Sequence, residues 1–454
     1  LHGNSFLIVG FGREGRSVLT YLQSRCPKAR IGIADQNLSS EPLESTPAVE
    51  YFSGYNYLAS AHTFDTIIRS PGVNIRAIKP FMKEGSHLTS ATNIFFAECL
   101  GRIVGITGTK GKSTTSSLTA SILSELFPDV RLVGNIGTPM LDHLAGATTD
   151  TVFVIELSSY QLEDLRRSPH VAILLNIVPE HLDYHGGFEP YSAAKANIGR
   201  HQRATDVLIT NGTNELLKKL AHGFAGARYY FSEQQSDSAI TRVEGDTIFI
   251  TKDGESVPVI RTDELPVIGP GNLQNALAAI TCAVALGGSI PQIQRGLQAF
   301  KPLEHRLEFV ATRHDISFYN DSLATIPEGL AHALVALGDK VETIIAGGFD
   351  RGVDMGPVGP ALAASNVKNL ILFPTTGEKI WEAAQTAAPQ REYKRVDVHS
   401  MTDAVQAAYD LTSAGRICVM SPASSSFSVF KDYRDRGEQF REAVKRLSPS
   451  SNSK

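Results

Sequence analysis

The segment from Gly105 to Thr114 reads GITGTKGKST. Gly108 and Gly111 let a backbone curl until its N–H groups face one point, which suits phosphate oxygens. A helix starting behind such a loop adds a partial positive charge at the same place. Lys112 is then in reach of β- and γ-phosphates, and Ser113 can set its hydroxyl on Mg2+. Two residues separate these glycines, fewer than in the common phosphate-loop spacing. A second glycine-rich segment, residues 10–15, reads GFGREG, and Asp35 stands 20 residues after Gly15. That pattern suits a nicotinamide dinucleotide, another nucleotide diphosphate, or a tight strand-to-helix turn with no ligand.

Other side chains gather at the ends of strand-like runs. Glu156 follows the apolar run ending at Ile155, and its carboxylate could hold Mg2+ through hard oxygen ligands or serve in a capped helix turn. Residues 176–185, NIVPEHLDYH, crowd His181, Asp183 and His185 into one loop. His181 reads as a catalytic group or as a structural hydrogen bonder. Lys195 reads as a site residue or as part of a solvated helix face. Residues 269–275, 304–306, 320–322, 347–351 and 421–427 each read singly as an ordinary turn or cap.

The elements that must position these groups are legible as apolar runs. Phe6–Val9, Ile31–Ala34, Thr66–Ile68, Arg102–Ile106, Thr151–Ile155, Val171–Leu175 and Asp206–Ile209 alternate with helical patterns. Strand-then-helix repetition predicts parallel sheets covered on both faces. Residues 228–268, with 247–251 and 257–260, predict a small antiparallel insertion. Thr343–Ile345, Leu370–Phe373 and Ile417–Met420 predict another α/β unit. Boundaries are expected near 92 and 300, giving segments 1–92, 93–300 and 301–454.

Composition narrows the class. With 454 residues, 42% of them hydrophobic and 20% charged, the chain can bury sizeable cores in two to four domains, and disordered or collagen-like classes are excluded. A net charge of −4 gives no basic field for nucleic acid. Four scattered cysteines without a CxxC pair fit a reducing compartment and no zinc knuckle. No apolar run reaches the length of a membrane span. The opening residues do not read as a signal peptide, so a cytoplasmic location is expected. The tail Ser448–Lys454 is expected to fray.

Taken in order, these segments resemble the Mur ligase family, ATP-dependent amide-forming ligases of peptidoglycan precursor synthesis. The motifs that carry the resemblance are 107–114, Asn135 to Gly137, Glu156 to Gln161, His181 with Asp183, Lys195, Asn272 with Asn275, His305 with Arg306, Asp321 with Ser322, and Ser421 to Ala423. The resemblance is greatest to the glutamate-adding members and accounts for the short phosphate-loop spacing. It implies an α/β chain of three domains: an N-terminal Rossmann-like one for UDP, a central ATPase with a mostly parallel sheet plus a small antiparallel sheet, and a C-terminal Rossmann-like one.

It also implies roles. Gly108, Thr109, Lys110, Gly111, Lys112, Ser113, Thr114, Asn272, Asn275, Arg306 and Asp321 would contact ATP. Gly10, Phe11, Gly12, Arg13, Gly15, Asp35, Ser70, Pro71 and Gly72 would hold the UDP end of UDP-N-acetylmuramoyl-alanine. Asn135, Ser158, Ser159 and Gln161 would hold its muramoyl-alanine end. Two Mg2+ sites are implied, one on Ser113 and Glu156, the other on His181 and on Lys195 after CO2 addition. Lys112, His181 and Lys195 would be catalytic. Closure of the third domain would shield an acyl phosphate from water. A monomer is expected.

Glutamate would meet Thr325, Arg351, Ser426 and Phe427. Here the chain departs from the family pattern of Asp-Ser-Lys-Ala-Thr-Asn, reading Asp321, Ser322, Leu323, Ala324, Thr325 and Ile326. Arg351 stands where a lysine is usual and could grip a carboxylate bidentately. D-glutamate is the expected amino acid, with L-glutamate the near alternative. A nicotinamide-dependent dehydrogenase is the distant one, and the second phosphate loop argues against it.

Overall fold

Runs of consecutive apolar residues become strands buried on both faces, as the two-sided covering of a parallel sheet requires. The computed structural model describes residues 3–38, 49–135, 138–252, 254–427 and 429–447. Ile136 and Gly137 of the Asn135 motif, and the tail expected to fray, lie outside those residues.

The first sheet contains β1 (Ser5–Val9), β2 (Arg30–Asp35), β3 (Val49–Ser53), β4 (Thr66–Arg69) and β5 (His87–Ser90). Its order is β3-β2-β1-β4-β5, and all pairs are parallel. The order reverses between β1 and β4. The loops that follow these two strands, 10–15 and 70–72, therefore open side by side at the carboxyl edge, where such sheets bind ligands.

The second sheet runs β14-β13-β12-β11-β10-β9-β6-β8-β7. Its strands are β6 (Arg102–Thr107), β7 (Val130–Gly134), β8 (Val152–Glu156), β9 (Val171–Leu174), β10 (Val207–Asn211), β11 (Ala227–Ser232), β12 (Ala239–Glu244), β13 (Thr247–Lys252) and β14 (Glu255–Arg261). Here one expectation is corrected. The antiparallel strands do not form a small sheet of their own. β12 pairs parallel with β11, while β12 to β14 pair antiparallel, so they extend the central sheet. The physical reason is the open edge of β11, whose unpaired backbone groups are satisfied by this addition. β6 lies between β9 and β8, which places the phosphate-loop segment beside the ends of both.

The third sheet has the order β15-β16-β20-β17-β18-β19. Its strands are β15 (Glu308–Arg313), β16 (Ile316–Asn320), β17 (Val341–Gly347), β18 (Asn369–Phe373), β19 (Lys394–Asp397) and β20 (Ile417–Met420). Only β15 is antiparallel. Side chains of β17 and β18 alternate between two cores, with Ile344, Leu370 and Leu372 on one face and Ile345, Ile371 and Phe373 on the other.

The chain divides into two compact units. One is the chain up to Pro266 with Asn272–Phe300; the other is Val267–Gly271 with the chain from Lys301 onward. The first two sheets belong to one unit because they share an apolar core. Phe6, Ile8, Phe95, Phe153 and Ile155 lie in it, and Phe95 meets Phe153 edge-on at 5.0 Å.

Candidate active site

The helix Lys112–Leu123 starts directly behind the loop that leaves β6. Gly111 caps it with φ at +86°, and a Cβ there would meet Asn275 Oδ1 at 2.2 Å. Only glycine fits that position. Asn275 comes from the helix Pro270–Ala285, accepts from Thr115 Oγ1 at 3.1 Å and donates to Asn272 Oδ1 at 3.0 Å. Of the two asparagines expected to meet ATP, Asn275 therefore lies against the phosphate loop and Asn272 is hydrogen-bonded to Asn275. Gly108 packs so closely on Leu175 that a Cβ would lie 2.6 Å from that side chain.

The segment after β9 holds the loop from below. Asn176 accepts Thr109 N through its carbonyl at 2.7 Å and Lys110 N through Oδ1 at 3.2 Å. Thr109 Oγ1 donates to the Val178 carbonyl and shares a hydrogen bond with Tyr191 Oη at 2.9 Å. Lys110 pairs with Glu180 at 2.8 Å. Burial alone would raise Glu180, but Lys110 holds its carboxyl below the usual range. Lys112 Nζ lies over its own loop, donating to the carbonyls of Thr109 at 2.9 Å and Gly108 at 3.1 Å.

Lys195 belongs to the helix Phe188–Arg200, whose burial packs it inward. Only 2% exposed, it donates to the Gly108 carbonyl at 2.7 Å and lies over the Tyr191 ring. Burial draws this amine down to about 7, and Lys112 pushes in the same direction. A lysine near neutrality is a nucleophile toward CO2, whereas an ammonium is not.

Glu156 ends β8 and is 2% exposed. Its Oε1 accepts from Asn135 Nδ2 at 2.9 Å, and its buried Oε2 has no hydrogen-bond partner among the described residues. A buried carboxylate oxygen without a partner is costly unless a cation meets it. His181 begins a short turn, Leu182–His185, with φ at +55°. Burial keeps its imidazole below its ordinary range, with Glu180 opposing. The Ser113 hydroxyl and the Glu156 carboxylate are hard oxygen donors of the kind that suits Mg2+, and the His181 imidazole is a separate nitrogen donor. Lys195 joins such a set only as an anion, because an ammonium would repel the ion.

Ser158, Ser159 and Gln161 stand at the helix Ser159–Leu162, just beyond β8. Ser158 and Gln161 form a reciprocal cap. Ser159 Oγ meets His185 Nε2 at 3.0 Å. In the first sheet, Ser70 Oγ donates to the Gly10 carbonyl at 2.7 Å, which ties loop 70–72 to loop 10–15. A Cβ on Gly15 would lie 2.3 Å from that same carbonyl. Asp35 accepts Phe11 N at 2.7 Å and Asn37 N at 2.9 Å, so both its oxygens serve the backbone. Gly12 and Arg13 start the helix Arg13–Arg25.

The second unit gathers its candidates at the carboxyl ends of β16, β20 and β17. Asp321 accepts from Ser421 Oγ at 2.8 Å and Leu307 N at 3.2 Å, and burial pushes it up to about 7. Arg306 and Arg436 oppose that rise. Arg351 is exposed and donates to the Thr325 carbonyl at 3.4 Å. Ser426 is buried, while Phe427 is 64% exposed and faces Phe349 edge-on.

Sequence reasoning gave no role to Asn176, Tyr191, Arg69 or Glu14. Arg69 ends an apolar strand yet is buried, and that charged residue closing β4 was the available signal. Asn176 sits at a strand end beside the phosphate loop, also a readable cue.

Comparison with known proteins identifies the family. The family description "Mur ligase middle domain" matches residues 106–283, and "Mur ligase, glutamate ligase domain" matches 305–424. A protein of Acetivibrio thermocellus named UDP-N-acetylmuramoylalanine–D-glutamate ligase is 35% identical over 404 residues, covering 87% of this chain and 86% of the relative. One of the same name from Caldicellulosiruptor bescii is 32% identical over 457 residues, 98% of each chain. Among solved structures, the UDP-N-acetylmuramate-alanine ligase of Thermotoga maritima aligns with a TM-score of 0.58 at 18% identity, over 97% of this chain and 99% of that one. The MurF ligase of Thermotoga maritima in complex with ADP aligns at 0.58 and 16% identity, over 98% and 96%. These structures share the fold, and the sequence relatives extend over nearly the whole length. The chain belongs to the Mur ligase family of ATP-dependent ligases.

Proposed function

We propose that this ligase joins D-glutamate to UDP-N-acetylmuramoyl-L-alanine through an acyl phosphate, with release of ADP and phosphate. The observation that carries the reading is the meeting of Lys195, Gly108 and Lys112 at one loop, with the orphaned Glu156 oxygen on the neighbouring strand. The names and lengths of the relatives support the substrates. Segments 1–92, 93–300 and 301–454 then serve UDP, ATP and glutamate in turn.

The chemistry follows from charge. The alanyl carboxylate attacks the γ-phosphorus, a new O–P bond forms, and the bond to the β-phosphate bridging oxygen breaks. Two anions must approach, so positive charge is required. The loop N–H groups at 108–113 bind phosphate oxygens, and Lys112 exchanges its loop carbonyls for them. Ser113 and Glu156 would hold one Mg2+, His181 and carbamylated Lys195 another. When bound, these ions supply Lewis-acid neutralisation of phosphate charge. The glutamate amine then attacks the acyl carbon, phosphate leaves with its oxygen, and the amine loses a proton. Thr114, Asn272, Asn275, Arg306 and Asp321 complete the proposed nucleotide contacts. Thr325, Arg351, Ser426 and Phe427 are the proposed glutamate contacts.

One feature favours a second reading. Leu323 and Ile326 replace polar residues of the family pattern after Asp321 and remove a positive charge from the proposed pocket, which makes ligation of L-glutamate the second reading. An assay of phosphate release tests the main reading. Release must require ATP, UDP-N-acetylmuramoyl-L-alanine and glutamate together. Release from ATP alone, indifferent to glutamate, contradicts it.

A further inference from the structure

The loop after β1 holds an acid where a diphosphate would bring negative charge. Glu14 is the second residue of the helix Arg13–Arg25. Its Oε1 accepts from Gln161 Nε2 at 2.9 Å, and its buried Oε2 has no hydrogen-bond partner among the described residues. Gln161 Oε1 is occupied by Ser158 N at 2.9 Å and Ser158 Oγ at 3.0 Å. The Ser158 backbone N–H can only donate, so it fixes which end of the amide is oxygen. Gln161 Nε2 has two hydrogens, and Glu14 accepts one of them.

The same short helix is gripped a second time from the first sheet. Arg69, at the end of β4, donates to the Tyr160 carbonyl at 2.7 Å and to Asp164 at 2.6 Å. The two clamps hold the helix Ser159–Leu162 to the loops proposed for UDP. Around Glu14, burial favours the protonated carboxyl, while Gln161, Arg69 and Arg13 favour the carboxylate. A carboxylate in a diphosphate loop is unfavourable for the diphosphate itself, so its place there calls for another use.

We infer that Glu14 is a positioning residue that aims the remaining Gln161 N–H at the muramoyl-alanine end of the substrate, at an electrostatic cost to the diphosphate bound in the same loop. This rests on the reading that loop 10–15 takes UDP and that Gln161 faces the muramoyl end. Removing the carboxylate then acts in two directions. UDP alone should bind as well or better, because a neighbouring negative charge is gone. UDP-N-acetylmuramoyl-alanine should bind worse, because Gln161 is no longer held.

Calorimetry on the full chain without ATP tests this. Wild type, Glu14→Ala, Glu14→Gln, Gln161→Ala and the Glu14→Ala/Gln161→Ala double variant are titrated with UDP and with UDP-N-acetylmuramoyl-L-alanine. Glu14→Ala should leave UDP binding unchanged or tighter and weaken the full substrate about fivefold or more. Glu14→Gln keeps an acceptor oxygen for Gln161 and should restore full-substrate binding. In the Gln161→Ala background, Glu14→Ala should add no further loss.

Equal weakening of both ligands by Glu14→Ala overturns the inference. So does a Glu14→Ala loss that persists undiminished without Gln161, or a Gln161→Ala variant that binds as wild type. A wild type that binds neither ligand overturns it too. A wild type that binds both, yet releases no phosphate when ATP and glutamate are added, overturns the ligase reading and leaves this result standing.

Discussion

Lys195 Nζ donates to the Gly108 carbonyl at 2.7 Å, so a buried amine touches the first turn of the phosphate loop. That contact links two segments 87 residues apart. It also sets the first test. Lys195→Ala should lower turnover on the order of 100-fold, as loss of a ligand-bearing group at a metal site would. Carbon-13 bicarbonate should give a carbamate resonance in the wild type and none in the variant. Because burial draws the amine down to about 7, the neutral form grows between pH 6 and 8, and the carbamate signal should grow with it. A fully active Lys195→Ala variant contradicts the carbamate.

Gly111→Ala should fail for two separable reasons. The left-handed backbone costs a side chain about 1–3 kcal/mol. The added Cβ also meets Asn275 Oδ1. Urea unfolding should show a lower midpoint, and the KM for ATP should rise. Unchanged stability and an unchanged KM would contradict the close packing of helix Pro270–Ala285 on the loop.

Asp321 gives a pH dependence of stability whose sign is fixed. Burial pushes its folded-state value up to about 7, above the unfolded value of about 3.9. The folded chain therefore holds this proton more tightly. The resulting stability is fully present below about pH 4 and is lost as pH rises through about 7. Thermal unfolding of the full chain should show Asp321→Asn to be less sensitive to pH across that window. An identical pH profile in the two proteins contradicts the assignment.

Arg351→Ala should separate binding from folding. The side chain is exposed and its one described hydrogen bond is long, so stability should move by less than about 0.5 kcal/mol. The KM for glutamate should rise about 10-fold or more with loss of a carboxylate contact, and the KM for ATP should hold. A variant with unchanged glutamate KM removes Arg351 from the proposed pocket.

The buried strands were readable because continuous apolar runs have few other uses. β8 and β17 are buried along their whole length, and both were expected. β3, β7 and β19 were not, since VEYFS, VRLVG and KRVD are short, partly exposed and mixed in polarity. Edge strands of this kind are specified by the neighbour they pair with. The antiparallel strands near 247–260 were found, but their membership of the central sheet depends on the β11–β12 register, which no local pattern encodes. At the site, glycines and polar residues at strand ends were legible. The Arg69 and Glu14 contacts were not, because their partners at Tyr160 and Gln161 are distant in sequence.

The most direct test is the mass of the product. Purified chain is incubated with ATP, Mg2+ and UDP-N-acetylmuramoyl-L-alanine, and with D- or L-glutamate in separate reactions. With D-glutamate the product should be heavier by one glutamate less one water, with one ADP and one phosphate per product. A product formed only with L-glutamate would contradict the proposed enantiomer. No glutamate-containing product with either enantiomer would contradict the ligation itself.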